Sequence, residues 1–367
     1  MVDRRVLQNF DWVLLGLTAT LVLLGLGNLV SATHGAASGD LSPEVRRQLL
    51  ALGLGSLGLL AAFAFDYRRI ERWALPIYFA CCLLLASTLV LAPVTRGNRA
   101  WLVFGPLRLQ PSELAKIGLV LALAWTFHRH PASDIRRLRE LWRPALVVAL
   151  PVGLIVLQKD MGVALLTLLV GATYLPFVRV PLRAWIGVAG AAALAVAGLW
   201  SFALADYQRQ RILDFLDPGR DPLASGYQAI QSKIAIGSGG LLGKGYLAGT
   251  QTQLRFLPTQ HTDFVFSVLA EEWGFVGSAV VLGLYLTLLL WGLVVASRAR
   301  DGFGTMLAVG IVGCFLWPAL INIAMVLGLA PVIGVTFPLF SYGGSSLIAS
   351  LVGIGLLLNV SMRRYMF

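Results

Sequence analysis

Ten apolar runs of membrane-spanning length predict an all-α, polytopic integral membrane protein, with one large loop between the seventh and eighth runs. Composition supports this directly. Of 367 residues, 57% are hydrophobic and 13% charged, against roughly 25% charged in a soluble domain, and the mean hydropathy is +0.78. A chain this apolar lacks the polar surface that water requires. The arginine distribution supplies the orientation.

The runs fall near residues 13–33, 48–65, 73–94, 112–128, 144–157, 161–178, 184–205, 264–297, 305–329 and 345–361. Each is bounded by charge, proline or glycine. They read as a single transmembrane domain over 1–367. No cleavage pattern follows the first run, so it reads as a span and not as a signal peptide. With the N-terminus inside, the inner segments take Arg4, Arg5, Arg68, Arg69, Arg72, five arginines between Arg129 and Arg143, Arg179, Arg183, Arg298, Arg300, Arg363 and Arg364. That is 16 of the 29 basic residues. Six more lie in the 206–263 loop, which is too long to count, and seven remain outside. Both termini are therefore expected in the cytoplasm, with the Arg96–Gln110, 206–263 and Ala330–Ser345 loops outside. The net charge of +11 is this inside bias and not a nucleic-acid footprint. Cys81, Cys82 and Cys314 lie within apolar runs, without metal-ligand spacing.

Several polar residues are not required by the span pattern. Glu113 and Lys116 open the fourth run and share a helix face at i,i+3. They read equally as a structural ion pair, with Ser112 as helix cap, or as a site. The fifth run, 14 residues long with Pro151 inside, covers only about 21 Å. The hairpin tip Gln158-Lys159-Asp160 is therefore expected below the outer surface, in a polar pocket or with its charges snorkelling out. Arg96, Arg99 and Arg108 flank Trp101, which reads as an interfacial anchor beside groups suited to phosphate. The long loop holds Asp206, Asp214, Asp217 and Asp221, then the glycine-rich run Ile236–Gly245. That run lacks the phosphate-loop form, because Gly245 follows Lys244. On its own residues, Asp263 reads as the N-cap of the eighth run. That run, 34 residues, would extend about 51 Å as one helix, so its start should tilt or rise above the bilayer core. Pro338, Gly343 and Gly344 read as a turn before the last run.

Seven ordered segments then resemble one family. They are Gly105…Gln110-Pro111-Ser112-Glu113…Lys116, Gln158-Lys159-Asp160-Met161-Gly162, Asp217-Pro218…Asp221-Pro222, Gly226-Tyr227-Gln228…Gln231-Ser232, the glycine-rich run, Phe256-Leu257-Pro258…His261-Thr262-Asp263-Phe264, and Phe340-Ser341-Tyr342-Gly343-Gly344-Ser345-Ser346. The chain resembles, end to end, the SEDS proteins (shape, elongation, division and sporulation). The Gly249-Thr250-Gln251 tract is most similar to their RodA branch.

The resemblance implies a peptidoglycan glycosyltransferase that polymerises lipid II at the outer face of the bacterial cytoplasmic membrane during elongation. It further implies a class B penicillin-binding protein as transpeptidase partner, alongside other elongation machinery. Residue by residue, it implies that Asp263 is essential, that Trp101 is important, and that Glu113, Lys116 and Asp160 line a polar cavity near Arg108. Arg47 is implied to contact the lipid diphosphate. Three positions depart from the family pattern: Ala100 where arginine is frequent, Thr259 where glutamate is common, and Lys159 where proline is. The implied partner helix is expected against the eighth and ninth runs, with Gly304, Gly310 and Gly313 permitting close approach.

The implied chemistry fits the residues. Arginine and lysine neutralise a diphosphate leaving group, and one carboxylate suffices as base for an inverting transfer. A divalent cation, Mg or Mn, is compatible with a diphosphate, but no ligand set can be read. Two rival functions use the same residues: a lipid II flippase, which predicts polar groups through the whole bilayer depth, and a non-catalytic scaffold for the transpeptidase.

Overall fold

The computed structural model describes residues 10–34, 41–94, 98–105, 107–198 and 225–364, with isolated positions between 201 and 215. Arg4, Arg5, Arg96 and the four loop aspartates 206, 214, 217 and 221 lie outside the described residues.

The described chain is almost wholly helical. Helices α1 (Trp12–Thr33), α2 (Pro43–Ala64) and α3 (Tyr67–Leu91) come first, followed by α4 (Pro111–Arg129), α5 (Trp142–Leu157), α6 (Met161–Ala172) and α7 (Leu182–Gly198). The outer loop contributes α8 (Ser225–Gly239) and the one-turn α9 (Thr250–Gln253). The long helices α10 (Val265–Ser297), α11 (Gly302–Val326) and α12 (Gly344–Arg363) close the bundle. Seven described segments are long and apolar enough to cross a bilayer: α1, α2, α3, Leu138–Leu157, α10, α11 and α12. The expected fourth, sixth and seventh runs form helices of 19, 12 and 17 residues. A 3-10 turn at Leu175–Phe177 follows α6. The second run begins five residues earlier than hydropathy suggested, because Ser42 caps α2 and Pro43 opens it.

Two helices form the centre. Fourteen residues of α4 are buried, as is most of α12. Around α4 pack α3, α11, α5, α12 and α6, while α12 lies chiefly on α2. Small residues set that last distance: a Cβ on Gly355 would stand 2.6 Å from the Leu59 carbonyl oxygen, so α2 and α12 touch backbone to backbone. The outer helices turn large apolar side chains outward, among them Leu57, Phe79, Leu83 and Val280, as lipid-facing surfaces require.

Polar pins hold the inner ends. Asp11 accepts from the Trp291 indole and the Ser361 hydroxyl, joining α1, α10 and α12. Asn359 donates to the carbonyls of Ala62 and Phe65 and accepts from Tyr67 N–H. These groups satisfy the backbone where α2 ends and α3 begins.

The eighth run is not one straight helix. At Gly274, φ is 65° and ψ −162°, so α10 breaks into a short first part and a long second part. Every residue from Phe264 to Glu272 is buried. The start of this run, expected to tilt or rise above the bilayer core, is set off from the rest by the break and buried within the protein. The glycine-rich run explains how a broken helix survives there. Lys244 and Gly245 N–H donate to the carbonyls of Glu271 and Glu272, and Phe275 and Val276 N–H donate to Gly240 and Leu241. The run thus re-pairs the backbone groups that the break releases. Gly243 lies against the Glu272 carbonyl so closely that a Cβ would collide with it.

The glycines expected to seat a partner helix are already occupied. Gly310 faces Tyr174 and Val120, Gly313 faces Thr173, and Gly304 faces Asp301, Tyr67 and Ala299. Their smallness serves packing within this chain, so it carries no argument for a partner.

Candidate active site

One cavity of about 1270 Å³ opens at the outer side of the bundle, and Arg47, Trp101, Arg108, Glu113, Lys116, Asp160 and Asp263 all line it. They come from five parts of the chain. Arg47 stands in the first turns of α2. Trp101 and Arg108 belong to a hairpin absent from the sequence reading: β1 (Leu102–Phe104) pairs antiparallel with β2 (Leu107–Leu109), with Val103 opposite Arg108. Gly105, at φ 58°, makes its turn. Ser345 at the start of α12 fixes the hairpin, donating to the Arg108 carbonyl and accepting from Gln110 N–H.

Glu113 and Lys116 form an ion pair at 2.9 Å, with side chains 12% and 6% exposed. Ser112 does not cap α4: Gln110 holds the N-cap position without a side-chain bond, and the Ser112 hydroxyl is buried without a hydrogen bond. The α5–α6 tip is tied down as a polar corner. Gln158 donates to the Leu85 carbonyl and the Thr88 hydroxyl, Lys159 adopts φ 62°, and Asp160 caps α6 by accepting from Val163 N–H. Lys159 also lines the cavity.

Asp263 is not the N-cap of α10. Phe264 occupies that position, and no side chain caps the helix. Its backbone is held instead: its N–H donates to Thr259, and its carbonyl accepts from Asn322 of α11, which also holds Val335. Next to it, His261 lines the cavity, and burial lowers its pKa, opposed weakly by Glu44. Its imidazole is therefore neutral at neutral pH. The Tyr342-Gly343-Gly344 turn docks here through Tyr342 N–H on the His261 carbonyl. Gln48, beside Arg47, bonds Ser341 and Gly343 of the same turn. Sequence reasoning missed Gln48 and Asn322 and gave Ser345 no role beyond its place in the Phe340–Ser346 segment. Each is an uncharged side chain whose partners are backbone carbonyls or amides elsewhere in the chain, which no local pattern reveals.

Helices α4, α11 and α12 line the cavity with one half of their length each. The lining residues stop at Ile117 in α4, begin at Ile311 in α11 and stop at Gly353 in α12. Beyond them Leu119–Ala124, Phe303–Val309 and Ile354–Met362 are packed among themselves, with core members such as Leu119, Leu307 and Leu358 at 0% exposure. The cavity wall also includes Leu54 of α2 and Leu165 of α6, each 44% exposed. The lining is thus partly apolar. The cavity combines the cationic groups Arg47, Arg108, Lys116 and Lys159 with apolar side chains, an arrangement matched to an anionic headgroup with a long tail. Among the described residues no three His, Cys, Asp or Glu side chains converge as a metal site.

The sequence was compared with known proteins. Residues 8–366 match the family model FtsW/RodA/SpoVE, described as cell cycle protein. The chain is 40% identical over 368 residues to peptidoglycan glycosyltransferase MrdB of Escherichia coli K12, covering 100% of this chain and 99% of that one. It is 31% identical to peptidoglycan glycosyltransferase RodA of Treponema pallidum, over 98% of this chain and 99% of that one. The crystal structure of the rod shape determining protein RodA of Thermus thermophilus superposes with a TM-score of 0.71 at 38% identity, covering 98% of each chain. A chain from a structure of a peptidoglycan synthase complex that coordinates polymerization and crosslinking superposes with a TM-score of 0.83 at 39% identity, over 98% and 99%.

Proposed function

The chain belongs to the FtsW/RodA/SpoVE family of cell cycle proteins, and we propose from that membership that it acts through the outer cavity, with Asp263 at the chemical step. It is a peptidoglycan glycosyltransferase of the inner membrane, as its relatives' names over nearly the full chain indicate. The substrate of our reading is lipid II, presented from the outer leaflet.

The mechanism follows from the lining. In this reading the tail of the donor lies along the apolar side chains Leu54 and Leu165, and its diphosphate meets Arg47, Arg108 and Lys159, all of which line the cavity. Guanidinium and ammonium groups offset the negative charge that builds on the leaving diphosphate. The acceptor hydroxyl attacks the anomeric carbon, its proton passes to the Asp263 carboxylate, and the bond to the diphosphate breaks. One displacement inverts the α-linked donor to a β-linkage and releases undecaprenyl diphosphate. The Glu113–Lys116 pair and Asp160 keep the cavity floor polar, with Trp101 as an aromatic wall for sugar. A divalent cation, Mg or Mn, is compatible with the diphosphate, and Asp263 would be the carboxylate to hold it there, neutralising charge on the leaving group in place of acting as base.

The observation that carries this reading is that Asp263 lines the same cavity as Arg47, Arg108 and Lys159, which places a carboxylate beside the groups suited to a diphosphate. The flippase reading requires polar groups along the whole depth, and the packed inner halves of α4, α11 and α12 argue against it. The partner of our reading is a class B penicillin-binding protein, in keeping with the similar chain from a synthase complex.

The test is polymerisation of purified lipid II by the chain together with that transpeptidase. Asp263→Asn removes the charge and leaves the packing. It is expected to bind the transpeptidase normally and to make no glycan strands. Near-normal strand synthesis by this variant would remove Asp263 from the chemistry.

A further inference from the structure

Behind the cavity lies a second polar cluster that no part of the proposed mechanism uses. Glu271, in the buried half-helix of α10, has a side chain of 0% exposure. Burying a carboxylate is costly unless donors surround it, and this one has five. Oε1 accepts from Lys244 Nζ at 2.8 Å, Gln251 N–H at 2.8 Å and the Thr250 hydroxyl at 3.3 Å. Oε2 accepts from Thr252 N–H at 3.0 Å and the Thr252 hydroxyl at 2.8 Å. None of these residues lines the cavity.

The cluster is joined to the cavity by one side chain. Gln260, 5% exposed, donates through Nε2 to the Thr252 carbonyl at 3.1 Å and to the Ala32 carbonyl of α1 at 2.7 Å. On either side of Gln260 stand Thr259 and His261, both lining the cavity. The Thr259 carbonyl in turn accepts the N–H groups of Thr262, Asp263 and Phe264. A continuous path therefore runs from Glu271 through Thr252 and Gln260 to the turn that presents Asp263. Asn322 holds the same turn from the opposite side.

We infer that Glu271, Thr252 and Gln260 are positioning residues for glycosyl transfer, fixing the Thr259–Asp263 turn against α1 so that the carboxylate meets the acceptor hydroxyl. The inference rests on the catalytic reading of Asp263. Holding a base in register matters because a displacement near 1 Å costs on the order of a hundredfold in rate. A group that positions the base acts on turnover and leaves substrate affinity, set by the cationic groups, in place.

Two conservative substitutions test this in the full chain with its transpeptidase partner. Gln260→Met keeps volume and deletes the link between cluster and turn. Thr252→Val keeps shape and deletes the hydroxyl on Glu271, while Thr252→Ser restores it. The expected result is a fall in kcat for lipid II of about tenfold or more in Gln260→Met and Thr252→Val, with KM within about twofold. Thr252→Ser is expected to polymerise at the wild-type rate. Thermal unfolding measured on the same samples separates turnover per folded molecule from loss of fold. Wild-type kcat per folded molecule in both variants, or activity lost only in proportion to unfolding, overturns the positioning role. Asp263→Asn runs in parallel. If it is inactive while Gln260→Met is fully active, the positioning inference fails alone. If Asp263→Asn makes strands, the catalytic reading fails and the inference falls with it.

Discussion

At the scale of single residues, the Glu113–Lys116 pair shows how burial turns a modest contact into a constraint. Exposed pairs are worth little, but these side chains are nearly covered. Removing one partner leaves the other charge buried, a loss of about 3–5 kcal/mol in such settings. Lys116→Met is therefore expected to lower the thermal unfolding midpoint, remain inserted in the membrane, and make no strands from lipid II. Adding Glu113→Gln should recover most of the midpoint and none of the synthesis. A double variant that polymerises would make the pair purely structural. Residues of this kind were legible in the sequence, because a charge within an apolar run stands out. Asp263 was harder: its local context reads as a helix cap, and only the position of Phe264 at the start of α10 shows otherwise. Gln260 and Asn322 were illegible, since a buried amide announces nothing until its distant carbonyls are known.

At the scale of elements, hydropathy located the runs and missed their shape. The eighth run is the instructive case. Glu271 and Glu272 interrupt its apolar character just before Gly274, but the hydropathy of the whole run is high enough to read through them as one span. The groups that stabilise the break, Gly240 to Gly245, lie about thirty residues earlier in a stretch that superficially suggests a nucleotide loop. The small hairpin at Leu102–Leu109 was hidden for a similar reason: three-residue strands fall below any periodic signal. Gly274→Ala should be severe, because φ is 65° and its Cβ would collide with Gly243 N and the Leu241 carbonyl. A loss of about 1–3 kcal/mol from the backbone conformation alone is the minimum. Gly283→Ala in the same helix meets nothing within 4 Å and should gain up to about 1 kcal/mol. Thermal unfolding of the two variants side by side checks the contrast. Equal behaviour would mean that the break is not required.

At the scale of the whole molecule, the ten apolar runs and the inside arginines predicted a membrane bundle, and the described helices form one. What composition did not show is the division of labour along the membrane normal. The outer halves of α4, α11 and α12 enclose the cavity, and the inner halves are close-packed and pinned by Asp11 and Asn359. That division has an electrical consequence. A reaction confined to the outer half moves neither substrate nor net charge through the insulating layer, so the membrane voltage can do no work on it. In sealed vesicles holding the enzyme and its transpeptidase, imposing or collapsing a potassium diffusion potential should leave the rate of strand synthesis unchanged. A rate that follows the voltage would mean that charge crosses the packed inner half during turnover.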